Sequence, residues 1–383
     1  MYEEFAKLVR DIFNTSDFIP LHEPYFGEEE KSNLIEAVNS TFVSTTGGGF
    51  VDRFEEDISS FIKSNHAIST VNGTSALHLS LLVLGAKRNT EVITQSLTFI
   101  ATCNAITYCG ANPVFIDIDT DTLSLSPAKL RYFLENETES GKKGKPINKT
   151  TKKEITACVL MNTFGFPGRS DEIKKICEEY GLNFLEDSAE SLGSFSQEGH
   201  TGVNSKISIL SFNGNKIITT GGGGMITTND DKMASRIRHL STTARIDKGY
   251  EFVHDEVGYN YRMPNINAAI GAAQIKKIQY ILKQKKALAS IYREWFAKRD
   301  IKFIDGLPES SPNYWLNTIL LRNEKEKNDF IHEMNQKGVG VRPAWLPMHQ
   351  SKPFSNCYSS DMENTNSLYQ RIVNLPSSVL DSV

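Results

Sequence analysis

The sequence predicts an α/β fold, a mostly parallel sheet flanked by helices, followed by a smaller C-terminal α+β unit. Three observations predict it. Short runs rich in β-branched residues alternate with helical patterns through the first part of the chain; glycine, asparagine and serine turns punctuate the changes; and after Met263 a long helical stretch takes over. At 383 residues, 39% hydrophobic and 23% charged, the chain can bury a core in two units.

In chain order, residues 1–20 read as an N-terminal helical extension, 21–275 as the large α/β unit and 276–383 as the small one. The run HAISTV (His66–Val71) meets the turn NGTS and then an apolar helix. EVITQS (Glu91–Ser96) leads into TFIATCNAITYCG, and PVFIDID (Pro113–Asp119) follows. ITACVLMNTFG (Ile155–Gly165) precedes SDEIKKICEEYG, in which Ile173 and Ile176 recur at helical spacing. NFLEDS (Asn183–Ser188) and KISILSF (Lys206–Phe212) complete the series. Asn136–Lys153 is lysine-rich with almost no apolar residue and reads as a solvated surface excursion. The stretch PNINAAIGAAQIKKIQYILKQKKALASIYREWF predicts one long helix joining the units, and YWLNTILL and VGVRPAW read as strands of the second.

A net charge of −4 provides no global basic field, so neither nucleic acid nor an anionic membrane is an expected partner. The first twenty residues mix acids and bases through their apolar positions and do not read as a signal peptide. The longest apolar stretch, Ala76–Ala86, is broken by His78 and Ser80 and is too short to span a bilayer. Five cysteines without a C-x-x-C pair suit reduced thiols in a cytosol, and no metal site is expected.

The segment SILSFNGNKIITTGGGGM (Ser208–Met225) sets one lysine, Lys216, between an apolar run and four glycines. A lysine in an apolar setting serves best as a nucleophile toward a carbonyl or pyridoxal phosphate, although a lone lysine beside a strand more often snorkels to water. Pyridoxal phosphate also needs an acid at its ring nitrogen, donors for a phosphate and a flat face for its ring. Asp187, just past an apolar run, suits the first demand and equally suits a helix cap. In VNGTSALHLSL, Gly73 permits close backbone approach at a helix start, where the N–H groups near Thr74 and Ser75 face an anion or simply a cap. Phe99 in TFIAT offers the ring face, or a core residue. GNKII is not a nucleotide P-loop, because Asn215 separates Gly from Lys and no Ser or Thr follows; the glycine run reads as a tight turn behind Lys216.

Together VNGTSALHLSL, LTFIATCNAI, PVFIDID, EDSAESLGS, SFNGNK, TTGGGGM and GYNYRMPNINAAIG resemble, in order, the DegT/DnrJ/EryC1/StrS sugar aminotransferases, a branch of the fold-type-I pyridoxal phosphate transferases. The resemblance runs from Phe18 to Val373. It implies that Lys216 bonds covalently to the cofactor, that Asp187 meets its pyridine nitrogen and that Phe99 stacks on its ring. It further implies that Gly73, Thr74 and Ser211 bind the phosphate and that Glu190 approaches the phenolic oxygen, where the family commonly has Gln or His. Asn260 matches an asparagine that reaches the phosphate from the neighbouring subunit, which implies a homodimer with shared active sites. A related dehydrating branch carries histidine in place of the lysine, and Lys216 argues against it.

The segments STFVSTTGGGFVDRFEE and EFVHDEVGYNYRMPNINAAIG resemble most the aminotransferases of legionaminic acid and bacillosamine biosynthesis. That implies a nucleotide-sugar substrate, UDP-linked 4-keto-6-deoxy-N-acetylglucosamine, with glutamate as amino donor. His22, Ser44, Thr45, Thr46, Tyr314 and Arg342 would border it. RPAWLPMHQSKPF resembles perosamine-type enzymes at PMH, which points to a GDP-linked sugar as the alternative. Two other classes fit less of the sequence: a cysteine desulfurase, for which Cys357 would be the nucleophile, and a non-catalytic regulatory protein on the same fold.

Overall fold

The computed structural model describes residues 1–44, 48–141 and 144–380. Among the described residues seven strands form the main path of a nine-stranded sheet: β1 (His66–Thr70), β2 (Thr90–Gln95), β3 (Asn112–Ile116), β4 (Glu154–Met161), β5 (Asn183–Asp187), β6 (Ile207–Ser211) and β7 (Gly224–Thr228). Their order is β1-β7-β6-β5-β4-β2-β3. All neighbours are parallel except β7, which runs antiparallel to both β1 and β6.

Both faces of the sheet are covered, so its strands are apolar on both sides. Ala157 and Val159 of β4 join a core with the helices Gly73–Val83, Ile100–Tyr108 and Asp231–Ser241, while Cys158 and Leu160 face the helices Pro127–Asn136 and Ser170–Glu179. This is the period-two alternation of a strand between two helical layers.

The lysine-rich excursion is more ordered than its composition predicts. Thr138–Ser140 and Pro146–Asn148 pair with each other, and the latter also pairs with the start of β4. Asn148, fully buried, donates to Glu91 Oε2 at 3.1 Å, which anchors the hairpin through one polar contact that hydropathy does not reveal.

The expected single long helix is two, Asn265–Gln274 and Ile278–Ala297, joined by one tight turn at Ile275–Lys277. Lys285 is fully buried on the second helix. Its Nζ donates to the carbonyls of Trp315 and Ser377, and burial pushes its pKa down to about 7.

The chain's ends fold together. Phe5 of the helix Tyr2–Phe13 packs among Tyr292, Trp295, Phe296 and Phe330, so the N-terminal extension completes the core of the C-terminal unit. That unit holds a small antiparallel sheet of Lys302–Phe303, Asn317–Leu320, Ile372–Leu375 and Arg342–Pro343. It also returns to the large unit at the edge strand β3. Phe115 N donates to Tyr358 O at 2.9 Å, and the buried Asp117 accepts from Thr365 Oγ1 at 2.6 Å and from the N–H groups of Asn364 and Thr365. An otherwise open sheet edge is thereby covered.

Candidate active site

Parallel strands end on a common edge, and in an open α/β sheet ligands gather there. β1 is antiparallel to β7, hence parallel to β6, so the turn after β1, the turn after β2 and the ends of β4, β5 and β6 all meet. The hairpin loop from β6 to β7 lies over the same edge and carries Lys216. These segments surround a cleft of 390 Å³, to which the C-terminal unit adds Trp315 and Trp345.

Local chemistry fixes each part. The helix Gly73–Val83 is capped by Asn72, whose side chain accepts from Ser75 N at 2.8 Å. A Cβ on Gly73 would stand 3.1 Å from Ser211 Cβ, so the helix N-terminus and the end of β6 approach as closely as glycine allows. The glycine run makes a second close approach, for a Cβ on Gly224 would lie 2.5 Å from the Asn72 carbonyl group. Gly221 alone among the four has a left-handed φ, +79°. The run therefore seats the lysine loop against the helix start as well as turning the chain.

Asp187, 2% exposed, ends β5. Its Oδ2 accepts from Thr102 Oγ1 at 2.7 Å and its Oδ1 from Ala189 N at 3.2 Å. Burial raises its pKa, while Thr102, Ala189 N and the Lys216 charge pull it back. Lys216 Nζ lies 3.1 Å from Glu190 Oε1 and 4.0 Å from the centre of the Trp315 ring, whose indole N–H donates to Asn215 O at 2.6 Å. Glu190 Oε2 accepts from Phe164 N at 2.9 Å, and burial pushes its carboxyl up to about 7 against the pull of Lys216. Phe99, 45% exposed, meets Trp345 edge-on at 5.9 Å.

The structure thus brings Lys216, Asp187, Gly73, Thr74, Phe99, Glu190 and Ser211 into one cleft. Of the other expected residues, Asn260 is expected at a neighbouring subunit's cleft, and His22, Ser44, Tyr314 and Arg342 do not line this one. Asn260 opens on a separate 560 Å³ surface pocket with Arg245 and Arg262. Tyr314, with a left-handed φ of 49°, turns its hydroxyl toward Asp305 and Arg293, and it is the next residue, Trp315, that faces Lys216. Arg342 is exposed and donates to Asn335 Oδ1 and Val341 O, away from the cleft. His22 is half-buried and does not line the cleft; burial, then the charges of Lys285 and Lys216, hold its pKa well below the ordinary imidazole value. Ser44 is exposed and its carbonyl accepts from Asn265 N, outside the cleft. Thr45 and Thr46 lie outside the described residues. Cys357 sits beside β3 and does not line the cleft.

Sequence reasoning missed Thr102, Met161, Trp315 and Trp345. Thr102 was within reach, because it stands one helical turn after Phe99 and so shares its face. The tryptophans were not, since only the packing of the small unit on the large one directs them inward.

The fold and this cleft define a class: an α/β transferase with a half-buried lysine and a buried aspartate converging on a helix N-terminus at the carboxyl edge of the sheet. The sequence model of the DegT/DnrJ/EryC1/StrS aminotransferase family matches residues 24–380, and the chain belongs to that family. Among its relatives, a GDP-perosamine synthase of Escherichia coli O157:H7 is 33% identical over 367 residues, covering 94% of this chain and 93% of its own. A GDP-perosamine synthase of Vibrio cholerae is 32% identical over 362 residues, 94% of each chain. The crystal structure of the aminotransferase TlmJ from Streptoalloteichus hindustanus shares the fold, with a TM-score of 0.85 over 94% of this chain and 93% of that one at 23% identity.

The family's cofactor is pyridoxal phosphate, and the cleft fits it. It offers a buried carboxylate, a capped helix N-terminus with a cradle that a Cβ at position 73 would crowd, an aromatic wall and a lysine, each facing the same space.

Proposed function

We propose that this aminotransferase moves an amino group from glutamate to the C4 carbonyl of a GDP-linked 4-keto-6-deoxy sugar. One observation carries the reaction type: Lys216 and Asp187 face one 390 Å³ cleft floored by the start of the helix Gly73–Val83. The two perosamine synthases, each about a third identical over nearly the whole chain, support a GDP-linked substrate over the UDP-linked one. The segments STFVSTTGGGFVDRFEE and EFVHDEVGYNYRMPNINAAIG favour the UDP-linked 4-keto-6-deoxy-N-acetylglucosamine as second reading.

In this reading Gly73, Thr74 and Ser211 would hold the cofactor's phosphate, Phe99 its ring face, Asp187 its ring nitrogen and Lys216 its aldehyde carbon. When bound, pyridoxal phosphate supplies the electron sink that acidifies a C–H bond next to nitrogen. Asp187 keeps a negative charge oriented at the sheet edge, and Thr102 fixes the carboxylate plane. Lys216 Nζ takes a proton from the donor's carbon and returns one to the sugar's. Trp315 and Trp345 line the cleft from the C-terminal unit. The test is purified protein with glutamate and a panel of GDP- and UDP-linked 4-keto sugars, scored for the aminated product. Amination of the GDP sugars is expected; amination of the UDP sugar alone would favour the second reading, and amination of none would refute both.

The same reading makes the active unit a dimer, with Asn260 serving the partner's cleft. Its support is that Asn260 lies outside its own chain's cleft, in a surface pocket where Arg262 keeps a buried, unbonded Nη1, next to a hairpin exposing Tyr250 and Phe252. Mixing inactive Lys216→Ala with inactive Asn260→Ala subunits should then restore activity to roughly a quarter of wild type, since half the dimers are mixed and each holds one intact site. No recovery after subunit exchange, verified by tagged pull-down, would place Asn260's role within one chain.

A further inference from the structure

Glu190 is a buried carboxylate of the cleft to which the reaction above gives no task. Its side chain is 1% exposed and held on every side. Oε1 faces Lys216 Nζ at 3.1 Å and Oε2 accepts from Phe164 N at 2.9 Å. Asn313 ties the Glu190 carbonyl to the chain just before Trp315, through bonds of 2.9 Å to Glu190 O and 2.8 Å from Trp315 N. Phe164 itself has a left-handed φ of 56° and packs on Trp345 with ring centres 4.9 Å apart. A strained, fully buried residue at this turn keeps the carboxylate from swinging away from the lysine.

We propose that Glu190 is the proton acceptor of Lys216, taking the proton that Nζ must shed before it attacks the cofactor's carbonyl carbon. One N–H bond of the ammonium breaks, one O–H bond forms at Oε1, and the nitrogen keeps the electron pair; no other reactant is needed. The pair passes from ammonium and carboxylate to amine and carboxylic acid without change in net charge, which suits a carboxyl buried as deeply as that of Glu190. In water this transfer is uphill by roughly six pK units. Burial, by pushing the Glu190 carboxyl up to about 7, removes less than half of that gap. The charged groups acting on Glu190 are Lys216 from the β6–β7 loop and Asp187 from the end of β5.

The inference rests on the assignment of Lys216 to pyridoxal phosphate, and its test reads capture of that compound by the cofactor-free protein rather than turnover. Capture by wild type should rise with pH, break near 7 and then level. Glu190→Gln keeps an acceptor for Phe164 N and loses the base; its capture at pH 7.5 should be slower on the order of 100-fold, with the break gone. Glu190→Gln matching wild type would overturn the proposal and leave a structural role. A wild-type profile climbing past pH 9 with no break would overturn it even if Glu190→Gln does not fold. Wild type capturing no pyridoxal phosphate would overturn the cofactor assignment as well, whereas capture lost in Lys216→Ala and unaltered in Glu190→Gln sinks this proposal alone.

Discussion

Lys216→Ala is expected to lose transamination by about 10⁴-fold or more and to lose the yellow absorption band of a lysine-linked cofactor. Both effects trace to one nitrogen, the covalent tether and the proton carrier. The variant should still fold. Lys216 sits on a loop, and its removal leaves Glu190 as the exposed cost; a buried carboxyl already pushed up to about 7 escapes that cost by taking a proton near neutral pH. The far-ultraviolet circular dichroism should therefore match wild type while single-turnover amine transfer falls to background. Near-normal transfer in this variant would remove Lys216 from the chemistry.

Asp187→Asn is expected to cost roughly 10³-fold in kcat while keeping part of the cofactor affinity. The amide has the carboxylate's shape, so its oxygen can still accept from Thr102 or Ala189 N. What disappears is the negative charge that keeps a ring nitrogen protonated, and with it the sink that makes the donor's carbon acidic. Because binding draws on the helix start and the lysine as well, the loss should concentrate in kcat rather than in cofactor retention. An Asn variant with wild-type kcat would assign Asp187 to capping alone.

The expected residues that the fold gathers into one cleft share a local cause. Asp187 and Ser211 end apolar runs, and Gly73, Thr74 and Phe99 follow others within a few residues; wherever parallel strands stack, these positions share an edge whatever the distant chain does. Tyr314 and Arg342 lie outside that cleft for the opposite reason. They were placed by segment, and the choice between adjacent residues rests on side-chain direction: the left-handed turn at Tyr314 hands the cleft to Trp315, and Arg342 pairs outward with Asn335 while Trp345 reaches inward. The break at Ile275–Lys277 was similarly hidden, because the hydrophobic period continues through it with Ile275 and Ile278 both buried.

By itself the sequence determined the alternation of strand and helix, the common edge where they end, and the lysine and aspartate presented there, since all of these follow from hydrophobic period and turn chemistry over a few residues. The tertiary structure alone decided that Glu190 grips Lys216, that two tryptophans line the cleft, that Asn260 opens on a separate surface pocket and that the chain's two ends share a core. Those contacts join segments tens to hundreds of residues apart, and their energy comes from packing and desolvation, which no local pattern encodes.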